Sequence, residues 1–344
     1  MSDKEQRNLR ERIYLNFNYP GAVPGGKTLL TGIRGKNNYT SCRCVEKVLY
    51  ITGFYTPPDD SKTISFLYVG DLTGNIDVPE NQYYILNYPL SKATNLYGPY
   101  ILKDGNVRIV GNYTTEEGGN RTFGCMYTGC PDRSFGKWLQ LKPTLDTFNV
   151  IAHSTSGDLV VGNYDTVYDP LGKAFIYDVK KKVYHKIIKR TVKSITAYGV
   201  WHNSGSSYTI CGGYSKLLPL SQSDDLSYGY IVDWNNNTNT LSNWREYQYD
   251  SASTITHFDG ITSDGCSGYN LTGDSITDDE EIAFFAHVER DRCGHFTEAD
   301  WSQVQYPGSE ITSGNSVYED IVIGVYTLPS DQDGTVNGYI SMIA

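Results

Sequence analysis

The sequence predicts an all-β fold, a six-bladed β-propeller of four-stranded blades, and three observations predict it. A G-x-Y strand recurs six times along the chain. Each copy is trailed by a second strand rich in aromatics. A third strand follows five of the copies and is found for the sixth only at the opposite end of the sequence. Composition agrees: the 29 Tyr and 34 Gly favour strands joined by tight turns, and a hydrophobic content of 39% suffices for a core.

The first strand reads ITGFY at 51, IVGNY at 109, VVGNY at 160, ICGGY at 210, LTGDS at 271 and VIGVY at 322, with steps of 50 to 61 residues between glycines, the range of propeller blades. The second reads ISFLYVGD, RTFGCMYTG, KAFIYDVKK, SYGYIVDW, EIAFFAHVE and VNGYISMIA, reached through turns such as Pro57-Pro58-Asp59-Asp60, Gly118-Gly119-Asn120 and Asp333-Gly334. The third opens on a large aromatic: YYILNYP, KWLQLKP, VYHKIIK, NWREYQYD and DWSQVQYP, with RIYLNFNYP at 12–20 supplying the missing copy. A ring closed by lending its N-terminal strand to the last blade has this permuted order, because closure removes sheet edges. The chain is therefore expected to be one domain over 12–344, with a polar tail at 1–11 and the closing strand 12–20 pairing within 317–344. The fourth, innermost strands read KTLLTGIRG, KATNLYGPY, DTFNVIAHS, SITAYGVWHN, TITHFDGIT and EITSGNSVY.

On these residues the chain resembles the HAF repeat proteins, whose units combine a G-x-Y strand, a G-F-x-Y strand and a PGA-type turn. LTGDS departs from that pattern by lacking the Tyr. The resemblance implies the fold and carries little about activity.

A formal charge of -10 with pI about 5.1 argues against a nucleic-acid partner, which needs clustered Lys and Arg. No window has the apolar length of a membrane helix, and the start MSDKEQRNLRER lacks the apolar core of a signal peptide. A cytoplasmic protein without membrane contact is expected, a secreted one whose signal is missing from this sequence being the alternative. The odd count of 7 Cys at irregular spacing, Cys42-Arg43-Cys44 included, suits thiols better than a disulfide framework.

Two motifs invite chemistry. GAVPGGKT at 21–28 matches G-x-x-x-x-G-K-[ST], but LLTGIRGKNN after it has no helical period, so a turn into an innermost strand is expected instead of a phosphate loop. HVERDRCGH sets His287, Glu289, Asp291, Cys293 and His295 at alternating positions, a possible metal face on an extended strand, set against a solvated charged turn whose acids pair with Arg290 and Arg292. No nucleophile elbow, zinc-protease motif or dinucleotide fingerprint is present, so no cofactor is called for.

The candidate site lies on the innermost strands. Counting six residues from the strand-opening Thr or its counterpart selects Arg34, Tyr100, His153, His202 and Tyr318, expected as a ring at one channel level. His257 with Asp259 forms a possible acid/base pair titrating near neutrality, and Asn95, Tyr97, Tyr198 and Trp201 complete a substrate-binding wall. Arg34, His153, His202, His257 and Asp259 are the catalytic candidates. The expected function is a cofactor-independent enzyme acting on a small organic, natural-product-like substrate at a channel mouth. In size, closure, Tyr-rich interior and lack of cofactor motifs the chain also resembles the fungal hetero-Diels-Alderases of tropolonic sesquiterpene biosynthesis. That likeness implies a pericyclase and transfers no residue. The alternative is a lectin-like or protein-binding propeller using Trp138, Trp244 and Trp301. Oligomeric state cannot be read from the sequence.

Overall fold

The computed structural model describes residues 12–39, 45–59, 62–72, 82–119, 121–131, 136–216, 226–277, 280–331 and 334–343. Cys42, Cys44, Asn120, Asp333 and the tail at 1–11 lie outside the described residues. Strand β1 (Ile13–Asn16) comes first, followed by β2 (Lys27–Tyr39), β3 (Val45–Thr56), β4 (Ile64–Gly70) and β5 (Tyr83–Ile85). Next come β6 (Ala93–Ile101), β7 (Val107–Thr114), β8 (Phe123–Gly129), β9 (Lys137–Leu141), β10 (Thr147–Ser156), β11 (Leu159–Thr166), β12 (Asp169–Asp178) and β13 (Val183–Lys186). The chain continues through β14 (Val192–Ser204), β15 (Ser207–Lys216), β16 (Ser227–Asn235), β17 (Thr240–Tyr247), β18 (Ile255–Ser263), β19 (Tyr269–Ile276), β20 (Glu281–Arg290) and β21 (Phe296–Val304). It ends with β22 (Ile311–Tyr318), β23 (Ile321–Thr327) and β24 (Asn337–Met342).

The fold is all-β, a propeller-like ring of antiparallel sheets. Four sheets have four strands each, and one has eight. The eight-stranded sheet is joined in its middle by a single parallel pairing, Ser227 with Ile255, between β16 and β18. β1 pairs antiparallel with β24, Ile13 opposite Met342 and Asn16 opposite Tyr339, so the first strand lies beside the last. The innermost strands form a closed circle in which β2 packs on β6, β6 on β10, β10 on β14, β14 on β18, β18 on β22 and β22 on β2. No helix among the described residues is long and apolar enough to cross a membrane.

The core is apolar and aromatic. Trp244 stacks on Tyr230 at 4.4 Å, Trp301 on Phe258 at 5.7 Å, and Trp138 sits 5.1 Å from Tyr127. The strand-opening Thr28, Thr94, Thr256 and Thr312 are buried, and their hydroxyls tie down the preceding turn. Thr94 accepts the Tyr88 N–H at 2.9 Å, Thr256 that of Tyr249 at 3.1 Å, and Thr312 that of Tyr306 at 3.1 Å. GAVPGGKT is another such turn: the Tyr19 N–H reaches Thr28 Oγ1 at 3.3 Å, Gly25 takes φ 82°, and a strand follows where a phosphate loop would open a helix.

Every innermost strand carries a register break at the same place, between Leu30 and Gly32, Leu96 and Pro99, Ala152 and Ser154, Ala197 and Gly199, Phe258 and Gly260, and Gly314 and Ser316, and β10 and β14 carry further breaks of their own. The break explains the repeated glycine. The bulge drives the carbonyl of the innermost strand onto the facing residue of the next strand, so a Cβ on Gly111 would lie 2.1 Å from the Asn95 carbonyl oxygen, and one on Gly273 1.9 Å from that of His257. G-x-Y thus marks the bulge, and the bulge frees one side chain from the ladder.

Candidate functional site

The side chains left unpaired by these shared breaks are those of Thr31, Tyr97 (with Gly98 beside it), His153, Tyr198, Asp259 and Asn315. Two of them tie strands together: Thr31 Oγ1 donates to the Leu96 carbonyl at 2.5 Å, and Asn315 Nδ2 to that of Leu30 at 2.8 Å. The other four carry chemistry. Tyr97 and His153 have ring centroids 5.3 Å apart, His153 and Tyr198 4.7 Å, and Tyr198 and His257 5.5 Å, an arc of rings across β6, β10, β14 and β18. Burial raises the Tyr97 phenol to about 12, and burial with the nearby Asp259 charge raises that of Tyr198. His153 meets Asn163 Oδ1 at 2.7 Å, yet burial pushes its imidazole down to about 4, so it is neutral at physiological pH.

At the end of the arc sit three ionisable groups. His257 Nε2 is 3.1 Å from Asp259 Oδ2 and 3.9 Å from Asp274 Oδ2. Asp274, on β19, also accepts the Ser313 hydroxyl at 2.6 Å and the Gly314 N–H at 2.9 Å. Burial alone would lower His257, but the Asp259 carboxylate outweighs it and holds the imidazolium up to about 9, a correction to the near-neutral titration expected from sequence. Burial, then repulsion from Asp259, lifts the Asp274 carboxyl to about 7. The arrangement offers a charged donor beside two carboxyls, groups that an acid/base site can use. The ligand atoms of the three also lie within 4.8 Å of one another, and one imidazole with two carboxylates suits a divalent manganese, iron or zinc ion.

The expected ring of five is only partly assembled. Arg34 faces Tyr50, Tyr100 faces Arg108 and Tyr318 faces Ile321, each three residues before the repeat glycine, so these three share a level. The residues at that level on β10 and β14 are Ser156, opposite Leu159, and Trp201, opposite Thr209. His153 belongs to the bulge. His202 lies beyond both, on the rim, with Nε2 3.0 Å from the Gly205 carbonyl and its ring 4.6 Å from Tyr208. The count failed because Tyr113 faces Thr94, whereas its counterparts Tyr164 and Tyr214 face Val150 and Ile195 instead of Thr147 and Thr196. Asn95 sits opposite Asn112, one residue before Leu96 as His257 is before Phe258.

Arg34 reaches across the channel. From β2 its guanidinium comes within 5.6 Å of the Trp201 ring and 3.4 Å of the Val200 carbonyl, on β14, the strand three places round the circle. The five-residue metal face divides: β20 ends at Arg290, His287 bonds Asn270 through Nδ1 at 2.8 Å, and Asp291, Cys293 and His295 form an exposed turn in which Asp291 Oδ1 accepts the N–H groups of Cys293 and His295. Arg290 pairs with Asp233 at 2.6 Å instead of with the turn acids. Cys125 and Cys211 are buried thiols and Cys266 and Cys293 exposed ones.

Sequence reasoning missed Asp274. The available signal was the residue between the repeat Gly and Tyr: in IVGNY and VVGNY it is Asn, in LTGDS it is Asp, and on β11 and β19 this residue meets the channel histidine.

No family model matches the chain, and no curated protein matches it. Among solved structures, a protein of unknown function from Dyadobacter fermentans DSM 18053 is similar with a TM-score of 0.50 and 9% identity, over 94% of this chain and 100% of that one. A mannose phosphorylase from Leishmania mexicana gives 0.40 and 12% over 88% and 96%, and Bacillus subtilis levansucrase 0.43 and 7% over 97% and 92%. At such identities the likeness is one of fold.

Proposed function

We propose that the protein is a cofactor-independent enzyme acting on a small organic molecule in the channel of a six-bladed propeller, with His257 and Asp274 moving a proton and Asp259 holding His257 charged. The count of six takes the eight-stranded sheet as two blades meeting at the single Ser227–Ile255 pairing, and has β1 complete the last. It is also the count of the HAF-like repeat.

The observation that carries the functional reading is the meeting of His257, Asp259 and Asp274 beside an arc of channel aromatics, at the one repeat whose Gly-x-Tyr has become Gly-Asp-Ser. A protonated imidazole next to a carboxylate can give a proton at one atom of a bound molecule and take one at another. A hetero-Diels-Alder cycloaddition would use the same place differently, with His257 donating a hydrogen bond to a carbonyl and Tyr97 and Tyr198 shaping the wall. Proton transfer employs the two carboxyls as well, and is the reading preferred. A binding module with one site per blade has less support, because Trp138, Trp244 and Trp301 are engaged in packing against their own and neighbouring sheets.

The test compares the wild-type protein and Asp274→Asn incubated with a small-molecule extract of the source cells, followed by mass spectrometry and elemental analysis of both proteins. The reading expects one compound consumed at least about 100-fold faster by the wild type. Equal consumption, none, or a stoichiometric metal lost with Asp274 would overturn it.

A further inference from the structure

The channel holds a charge that the acid/base cluster does not use. Arg34 is 5% exposed, and its guanidinium lies in the channel between β2 and β14. Nη1 donates to the carbonyl of Ile33 at 2.9 Å, Nη2 makes only a 3.4 Å contact to that of Val200, and Nε has no partner. The groups that act most on its charge are Tyr318, Cys211 and Tyr100, phenols and a thiol, which are uncharged types at pH 7. Among the described residues no carboxylate pairs with it. Burial draws its pKa down only to about 10, so the cation persists at neutral pH. A second buried guanidinium, that of Arg108, lies 5.2 Å over the Tyr100 ring and donates from Nε to Thr155 Oγ1 at 2.7 Å and from Nη2 to the Gly157 carbonyl.

A buried cation without a counter-charge is costly to keep. The costly group here is also placed for use. Nε and Nη2 form the side edge of the guanidinium, whose two parallel N–H bonds match the two oxygens of a carboxylate. On that edge Nε is buried without a partner and Nη2 makes only the long bond to Val200, while Nη1 is taken by the protein's own backbone. The Trp201 ring lies 5.6 Å from it, and Tyr100 and Tyr318 are near enough to act on its charge.

We propose that Arg34 is the substrate anchor, binding a carboxylate through its Nε–Nη2 edge, and that the substrate is therefore an organic acid with an unsaturated or aromatic body seated among Tyr100, Trp201 and Tyr318. This rests on the proposed reading of the channel as the site of reaction. The Arg34 level lies three residues along the strand from the level of Asp259, about 10 Å, which sets the distance between the carboxylate and the proton-transfer groups.

Benzoate and its neutral isostere benzamide are the probes, followed by calorimetry on the full chain. The expected result is one benzoate per chain, benzamide at least tenfold weaker, and Arg34→Gln bringing benzoate down to the benzamide level with the melting temperature retained. Should Arg34→Gln not fold, Arg34→Lys carries the test: the charge stays but the fork is lost, and benzoate weakens at least fivefold while benzamide does not change. Benzoate that fails to bind, binds no better than benzamide, or is indifferent to Arg34→Lys overturns the anchor. Asp274→Asn separates the two proposals. Turnover that survives in Asp274→Asn sinks the acid/base reading, whereas benzoate binding in the wild type that ignores Arg34→Lys sinks the anchor.

Discussion

Asp274 shows most clearly how one side chain changes the character of a repeat. Its neighbours in equivalent blades are Phe54, Asn112, Asn163, Gly213 and Val325, and it alone brings a carboxyl into the ring, beside Asp259 and His257. Two consequences for pH follow. The folded Asp274 carboxyl titrates at about 7, above its ordinary value near 3.9, so the fold favours its neutral form and stability declines as pH rises from about 4 to 7. His257 titrates at about 9, above 6.5, so the stability of its imidazolium is complete below pH 6.5 and is lost as pH rises through 9. Asp274→Asn should remove the first decline and leave most of the second. Denaturant unfolding at pH 4.5, 7 and 9.5 checks this, and wild-type and variant curves that stay parallel across the three pH values would count against it.

At the scale of the element, the bulge links repetition to chemistry. The repeated glycine was legible in the sequence as a packing feature, and the strands, hairpins and their order could be read from it. What it accommodates was not legible, because a bulge is a relation between two strands and leaves no residue pattern of its own on the innermost one. Hence His153 and His202 were assigned to the level of Arg34, whereas His153 is the bulged residue and His202 lies on the rim. Hence also Thr31 and Asn315, the two bulge positions that stitch strands together, escaped notice. Gly111→Ala should cost about 3 kcal/mol, because its Cβ would meet a backbone carbonyl at 2.1 Å. Gly105→Ala, in an open turn at φ 85° with nothing near the added carbon, should cost only the left-handed strain of about 1 kcal/mol. Thermal unfolding of the pair checks the contrast, and equal losses would deny the bulge its role.

For the whole molecule, the ring is a closed circle whose ends are joined by β1 and β24. Deleting residues 1–17 would leave the edge of β24 unpaired and remove Phe17 and Leu15 from the packing of Leu30, Tyr68 and Ile323. Melting should fall by about 10 °C with a tendency to associate through the free edge, measured by calorimetry and light scattering. An unchanged, monodisperse protein would mean that closure contributes little. Closure also gathers side chains from β2, β6, β14 and β22 around one guanidinium and those of β14, β18 and β19 around one imidazole. The sequence named most of these residues without their partners, since each meeting joins positions dozens of residues apart. The central claim is that the channel holds His257 as an imidazolium between two carboxyls. Long-range proton–nitrogen correlation of the histidine rings tests it most directly. The claim requires the His257 ring to remain doubly protonated at pH 8 in the wild type and to lose that proton at a clearly lower pH in Asp259→Asn, and a wild-type His257 that titrates near 6.5 would contradict it.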